Sequence, residues 1–275
     1  MNIKESTIYP NDNFNPTIKI KKKVEKIFKK NGLVILRNFH FNEKNFFTFT
    51  KLFTHIYSTD ANRREQTIKK QINYVDPGME KMSLHSEASF SPSWPEIIWF
   101  YGKKVSKKHG ETTLCCGNEL WEILSVDTKN FLKSNLLKFK IKSDIILKIK
   151  NKKWNLNKIG VFNEYIDKKG FLNYEHIKFA INNSKYDKKI YLSSHILYKK
   201  TDPTIISMKM ANNQKIPVKI INEIENKSNQ ITYFHKWKKN DVLMIDNRRL
   251  MHGRNKILKN EIRKILNVQT LISKI

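Results

Sequence analysis

The sequence predicts a mainly β domain with flanking helices, its strands closing into a double-stranded β-helix, or jelly-roll, core. Short apolar runs of strand type, at residues 33–36, 241–245 and 265–272, are interspersed with stretches whose apolar residues recur at helical spacing. Two histidine-bearing segments, 84–87 and 246–254, stand far apart in the chain, so the second must ride on a strand that folds back onto the first. The 275 residues, 39% of them hydrophobic, can bury one sizeable core, and neither an internal repeat nor a Pro/Gly/Ser-rich linker divides them. A single domain over residues 1–275 is expected.

Taken in order, residues 18–30 carry apolar positions at helical spacing and stop at Asn31-Gly32, a good helix end; 33–36 follow as a buried strand. Residues 43–56 read as a second amphipathic helix whose Phe46, Phe47, Phe49, Leu52 and Phe53 belong to the core. Residues 84–90 are expected to be extended, which would put His85 and Glu87 on one face and turn Ser86 away. A helix is expected over 118–124, with helical packing continued over 127–139. Residues 140–185 are Lys/Asn-rich without clean periodicity, and residues from about 140 to 210 are expected to form a helical and loop insertion that covers the site. Residues 216–229 read as a further helix before strands at 231–234 and 241–245, and 265–272 supplies a closing strand.

Chemistry concentrates in the two histidine segments. His85, Glu87 and His252 offer two imidazoles and a carboxylate, and Arg263 follows eleven residues after His252. Two histidines and one carboxylate on one face of an octahedral ion leave three positions open, the usual arrangement of non-haem iron oxygenases. Imidazole and carboxylate suit Fe(II), and the absence of a cysteine cluster argues against structural zinc. A planar guanidinium takes a carboxylate through two parallel charge-assisted bonds, which Lys264 next to Arg263 could not imitate.

The run from His85 through Ser-Glu-Ala-Ser-Phe-Ser-Pro-Ser-Trp to Pro95, then Phe100-Tyr101, then Gly110-Glu-Thr-Thr-Leu114, and a second block from Asp246 through Asn-Arg-Arg-Leu-Met-His-Gly to Arg254, resemble the taurine dioxygenase (TauD/TfdA) family. The likeness spans about residues 30 to 272, loosely over 140–210, and is strongest to the amino-acid hydroxylase branch, with its clavaminate synthase-like and syringomycin-type members. It implies Fe(II), 2-oxoglutarate and O2, with His85, Glu87 and His252 as catalytic iron ligands. It further implies Arg263 as partner of the distal carboxylate of 2-oxoglutarate, supported by Thr112. The implied reaction is hydroxylation of an unactivated carbon, the β carbon in that branch, of a free or carrier-tethered amino acid in specialised metabolism. Desaturation or ring closure would use the same ligands. Relatives that halogenate keep a small residue at the position of Glu87, leaving room for chloride; Glu87 fills it. His109 replaces the first glycine of the family's Gly-Gly-Glu-Thr turn, so the backbone there is expected to avoid a glycine-only conformation. It reads as a turn residue and not a ligand. Around Ser194-His195 the likeness is too faint to yield substrate residues.

Arg248, Arg249 and Arg254 are candidates to hold an anionic substrate group, with a structural ion pair as the alternative for each. The net charge is +28 with a pI near 9.9. Of 53 basic residues only Arg37, Arg63, Arg64, Arg248, Arg249, Arg254 and Arg263 are arginines, and lysine is enriched along the whole chain. That pattern reads as compositional drift and a solvated surface, although a lysine-rich face would also suit an acidic acyl carrier protein. Nucleic-acid demethylation with the same iron site is the alternative function, and a non-catalytic binding protein a third. Cys115 and Cys116, adjacent and ill placed for a disulfide, read as free thiols. With neither a membrane-length apolar run nor a secretory segment near the N-terminus, a cytoplasmic enzyme is expected.

Overall fold

The computed structural model describes residues 1–10, 20–58, 71–75, 78–143, 160–197 and 204–275. The lysine run at 148–153, Arg63 and Arg64 lie outside them. Helix α1 (Ile3–Ser6) and strand β1 (Thr7–Ile8) precede α2 (Lys21–Asn31). Ile20, Val24, Ile27 and Phe28 form one stripe of α2, with Val24 and Phe28 buried. The helix stops because Gly32 turns left-handed at φ 71° and its N–H donates to the Phe28 carbonyl at 2.8 Å.

A large sheet follows the order β1, β2 (Leu33–Leu36), β15 (Val242–Asp246), β6 (Ile97–Lys104), β17 (Lys264–Ser273) and β3 (Thr54–Tyr57), with β4 (Asn73–Tyr74) also on β17. Both of its faces are covered, which is why β2 is apolar at every position. Leu33 and Ile35 point inward with Ile98, Phe100, Leu243 and Ile245; Val34 and Leu36 point outward under α2 and α3 (Glu43–Thr50) with Trp99, Phe46, Phe49 and Phe53. A second sheet, β14 (Tyr233–His235), β7 (Thr112–Cys116), β16 (Leu250–Arg254) and β5 (Met82–His85), faces the first and completes the mainly β jelly roll.

Two expected helices end early. The helix expected over 43–56 stops at Thr50, and β3 begins at Thr54. β-branched Thr54 and Ile56 suit the pleated edge, and the Thr54 hydroxyl bonds that of Thr270 on β17 at 2.7 Å. Helix α4 (Gly117–Ile123) lies as expected, but α5 (Val126–Ser134) gives way to β8 (Leu137–Ser143) where helix was expected to 139. There Leu137, Phe139 and Ile141 are buried and alternate with Lys138, Lys140 and Lys142, a period of two and not of 3.6.

The region from about 140 to 210 is correspondingly not helix and loop in its described parts. β8 joins β13 (Ile205–Met210), β10 (Leu172–Lys178) and β9 (Val161–Ile166) in an antiparallel sheet ordered β13, β8, β10, β9, and β11 (Ile181–Asn183) pairs with β12 (Ile190–Leu192). Its buried face packs with Phe90, Trp121 of α4 and Ile224 of α6 (Val218–Ile231). Among the described residues no helix is long and apolar enough to cross a membrane.

Candidate active site

The second sheet sets the site. β5 and β16 run antiparallel with His85 and His252 as directly opposed Cα partners, and the two rings sit 4.5 Å apart between centroids. β5 ends at His85 instead of continuing to residue 90. Ser86 leaves the ladder, the Ser89 N–H donates to the Ser86 carbonyl at 3.1 Å, and Ala88 takes a left-handed φ of 50°. Glu87 thus reaches the histidines through a tight turn and not through the pleat of a strand.

One ligand atom from each of His85, Glu87 and His252 lies within 4.8 Å of the others. A Glu87 carboxylate oxygen stands 3.9 Å from Nε2 of His85 and 3.7 Å from Nε2 of His252. These spacings exceed hydrogen bonds and suit three donors converging on one ion. Nδ1 of His85 lies 2.9 Å from the Ser83 carbonyl and must carry the proton, which leaves the Nε2 lone pair for a metal. The donor set fits Fe(II).

Asn247 locks this geometry. Its side-chain oxygen accepts from the Glu87 N–H at 2.8 Å, while its NH2 donates to the carbonyls of Glu87 and Pro95, both at 2.9 Å. The Ser86 hydroxyl donates to the Asn247 carbonyl at 2.6 Å. The turn joining β15 to β16 thereby clamps the loop that presents the carboxylate.

Beside the triad lies a cationic recess. Arg263 donates from Nε to the Gly110 carbonyl at 2.8 Å and from Nη2 to the Thr112 hydroxyl at 3.1 Å. The same hydroxyl accepts from Trp237 Nε1 at 3.0 Å, so with both lone pairs engaged its own proton is directed at a further acceptor. Trp237 packs edge-on to His235 at 4.7 Å, and a Cβ on residue 102 would come within 2.9 Å of its ring, so Gly102 makes room for it. Arg254, two positions from His252 on the same face of β16, donates to the Glu80 carbonyl at 3.0 Å. Burial, with the neighbouring Arg254 charge, pushes the Arg263 guanidinium down to about 9. The buried Arg254 and the part-buried Arg263 guanidinium groups together make a site for an anion.

The other arginines of the second block go elsewhere. Arg249 is structural: it pairs with Asp246 at 2.7 Å and donates to the Lys29 carbonyl at 2.9 Å and to the Phe28 carbonyl at the end of α2. Arg248 is part-exposed, 3.6 Å from Glu96 and 5.3 Å from the centre of the Trp94 ring. His109 does enter the left-handed region, at φ 60°, immediately before Gly110 at 73°. A bridge to Ile257 and the Gly110 N–H bond to Lys256 hold this turn, a conformation histidine tolerates better than most side chains. Cys115 and Cys116 are free thiols, and burial pushes both up.

Sequence reasoning gave His195 no role. It is buried against His85 at 5.2 Å and Phe90 at 4.8 Å between ring centroids, with Nδ1 2.8 Å from the Ser89 hydroxyl. Burial, and then the His85 ring, hold it well below the usual imidazole range, so it is neutral. Trp237 had no local signal at all, while Asn247 lay inside the second block with its role hidden.

The sequence profile of the Taurine catabolism dioxygenase TauD, TfdA family matches residues 9–269. No curated protein matches the sequence. Among solved structures, AAD-2 in complex with Mn(II) and N-oxalylglycine is similar with a TM-score of 0.62 at 14% identity, over 98% of this chain and 94% of that one. A taurine dioxygenase from Burkholderia xenovorans gives 0.64 at 11% identity, over 96% and 85%. PvcB from Pseudomonas aeruginosa gives 0.63 at 10% identity, over 96% and 84%. PvcB is described as an Fe, α-ketoglutarate dependent oxygenase from an isonitrile synthetic pathway. At these identities the likeness is one of fold.

Proposed function

We propose, since this chain belongs to the taurine catabolism dioxygenase TauD, TfdA family and is an Fe(II)- and 2-oxoglutarate-dependent dioxygenase, that His85, Glu87 and His252 are its iron ligands. The observation that carries this reading is the convergence of the three donors beside a part-buried, anion-seeking arginine. Arg263 takes the distal carboxylate of 2-oxoglutarate, and the Thr112 hydroxyl donates its remaining proton to it. Arg254 adds positive potential to that end of the co-substrate. When bound, the metal with 2-oxoglutarate and O2 supplies the oxidising chemistry. The chain contributes placement and exclusion of water through Phe90, Phe100 and His195.

We take the substrate to be a free or carrier-tethered amino acid, or a related small molecule, hydroxylated at an unactivated carbon. Support comes from the likeness of both motif blocks to the amino-acid hydroxylase branch, and from the small-molecule setting in which PvcB is described. The described parts of the region from about 140 to 210 serve as cover over the site, in a single oxygenase domain. In favour, the Ser194 carbonyl accepts from the Ser86 N–H at 3.2 Å, and His176 lies 2.9 Å from the Phe90 carbonyl.

Anaerobic titration of the apo-protein with Fe(II) and 2-oxoglutarate tests the assignment through the weak visible charge-transfer band of the bidentate complex. The band is expected in the parent protein, absent in His252→Ala and weakened in Arg263→Ala. A folded parent protein that gives no band would overturn the ligand assignment.

A further inference from the structure

β10 lays one face over the loop that carries Glu87. His176 and Lys178 share that face, and His176 donates from Nδ1 to the Phe90 carbonyl at 2.9 Å. Two residues on, the Lys178 ammonium sits 3.4 Å from the centre of the Trp94 ring. Trp94 in turn donates from Nε1 to the Ser86 hydroxyl at 2.8 Å, between His85 and Glu87 in the chain. On the same indole, Arg248 places its guanidinium carbon 5.3 Å from the ring centre.

The charges here do not balance. Glu96 lies 3.6 Å from Arg248, but it is also bonded by the N–H and hydroxyl of Ser273 and faces Lys185 at 3.7 Å. Among the described residues no carboxylate comes within ion-pair distance of Lys178. Its surroundings are an indole face and a second cation. Burial, reinforced by Arg248, pushes the Lys178 ammonium down to about 7. A part-buried lysine held against like charge is an uncompensated arrangement, and an incoming anion would relieve it. Glu96, the partner of Arg248, sits beside Thr270 at the start of β6, whereas Arg263 precedes Lys264, which pairs with Lys104 at the other end of that strand, so this anion is not the distal carboxylate of 2-oxoglutarate.

We propose that Lys178, with Arg248 on the same Trp94 ring, anchors an anionic oxygen group of the substrate beside the Glu87 loop. The inference deepens the oxygenase reading and takes the iron site from it. A free amino acid would offer a carboxylate to this anchor, a carrier-tethered one the phosphate of its phosphopantetheine arm. Either would leave the carbon chain to extend past Trp94 toward His85 and Glu87.

Competitive labelling of lysines tests it on the full chain loaded with Fe(II) and saturating 2-oxoglutarate under anaerobic conditions, so that Arg263 is filled in every sample. Trace acetic anhydride at neutral pH, read by peptide mass spectrometry, is titrated with acetate or with methyl phosphate against chloride at equal ionic strength. The expected result is a fall of about five-fold or more in Lys178 acetylation, with other lysines unchanged and the protection weakened in Arg248→Gln. Greater protection by acetate points to a carboxylate source, and greater protection by methyl phosphate to a carrier arm. Lys178 labelling that stays constant with both anions, or falls equally in chloride, overturns the anchor. The parent protein's charge-transfer band is recorded in the same samples: its absence would count against the iron assignment alone, and labelling of the metal-free chain would still decide the anchor.

Discussion

At the scale of single residues, the proposed site is built from shared hydrogen bonds. The Thr112 hydroxyl accepts from both Arg263 and Trp237, so Thr112→Val strands two part-buried donors and, in the proposed site, removes one donor to the co-substrate. Losing one such bond is worth roughly 1–3 kcal/mol, and the KM for 2-oxoglutarate is expected to rise on the order of ten-fold or more with a smaller change in kcat, read from steady-state 2-oxoglutarate consumption. An unchanged KM would remove Thr112 from the co-substrate site. Asn247 acts at one remove, through the Glu87 and Pro95 backbone. Asn247→Ala is expected to weaken Fe(II) binding about 10- to 100-fold while the fold persists, measured by metal titration of the apo-protein. The donors and Arg263 were legible because their chemistry is written in short motifs: an imidazole two positions from a carboxylate, and a guanidinium at a fixed distance from the second histidine. Trp237 and His195 were not, since each arrives through the sheet pairing of distant segments and nothing in its own neighbourhood announces the meeting.

At the scale of elements, the motif block that serves the site also ties the outer helix to the sheet. Arg249 joins Asp246 on β15 to the last carbonyls of α2, and Gly32 ends that helix where a Cβ would press within 2.6 Å of Leu250. Arg249→Met leaves the buried Asp246 carboxylate without its cation and is expected to cost about 3–5 kcal/mol in urea unfolding. The sign of its pH dependence follows from Asp246, which burial already holds above the usual carboxylate range against the pull of Arg249. Without the arginine that pKa climbs further, so the folded state binds a proton that the unfolded state releases. The deficit is therefore largest near neutral pH and shrinks as pH falls toward the folded-state value. A deficit that grows on acidification would show that Asp246 keeps another cation. Element boundaries were legible where residues speak locally, as at Asn31-Gly32. They were misread where periodicity was not counted. Leu137-Lys-Phe-Lys-Ile-Lys142 alternates with period two and belongs to a strand, although it continues directly from a helical stretch. The turn at Glu87 was hidden for a different reason: Ala88 at φ 50° is imposed by the Asn247 clamp and not by its own preference.

At the scale of the whole molecule, the +28 charge decides between partners only when the arginines are followed into the structure. Arg37 pairs with Asp241 at 2.6 Å, Arg249 with Asp246, Arg254 with the Glu80 carbonyl, and Arg263 with Gly110 and Thr112. Among the described residues, the bidentate cations that grip phosphates and base edges are thus turned inward except for Arg248, and the charge along the sequence is carried mainly by lysines. Such a surface repels itself. Raising salt from about 0.01 M to about 0.15 M shortens the Debye length from roughly 30 Å to 8 Å, which screens that repulsion while leaving short buried pairs such as Arg37 and Asp241 nearly untouched. The melting temperature is therefore expected to rise by a few degrees over that range, and elution from heparin to follow a shallow salt slope without the steep dependence of a protein that neutralises six to ten phosphates. A flat melting curve together with a steep heparin slope would mean that the lysines form an organised patch, and nucleic acid would then replace the free or carrier-bound amino acid as the substrate to be screened first.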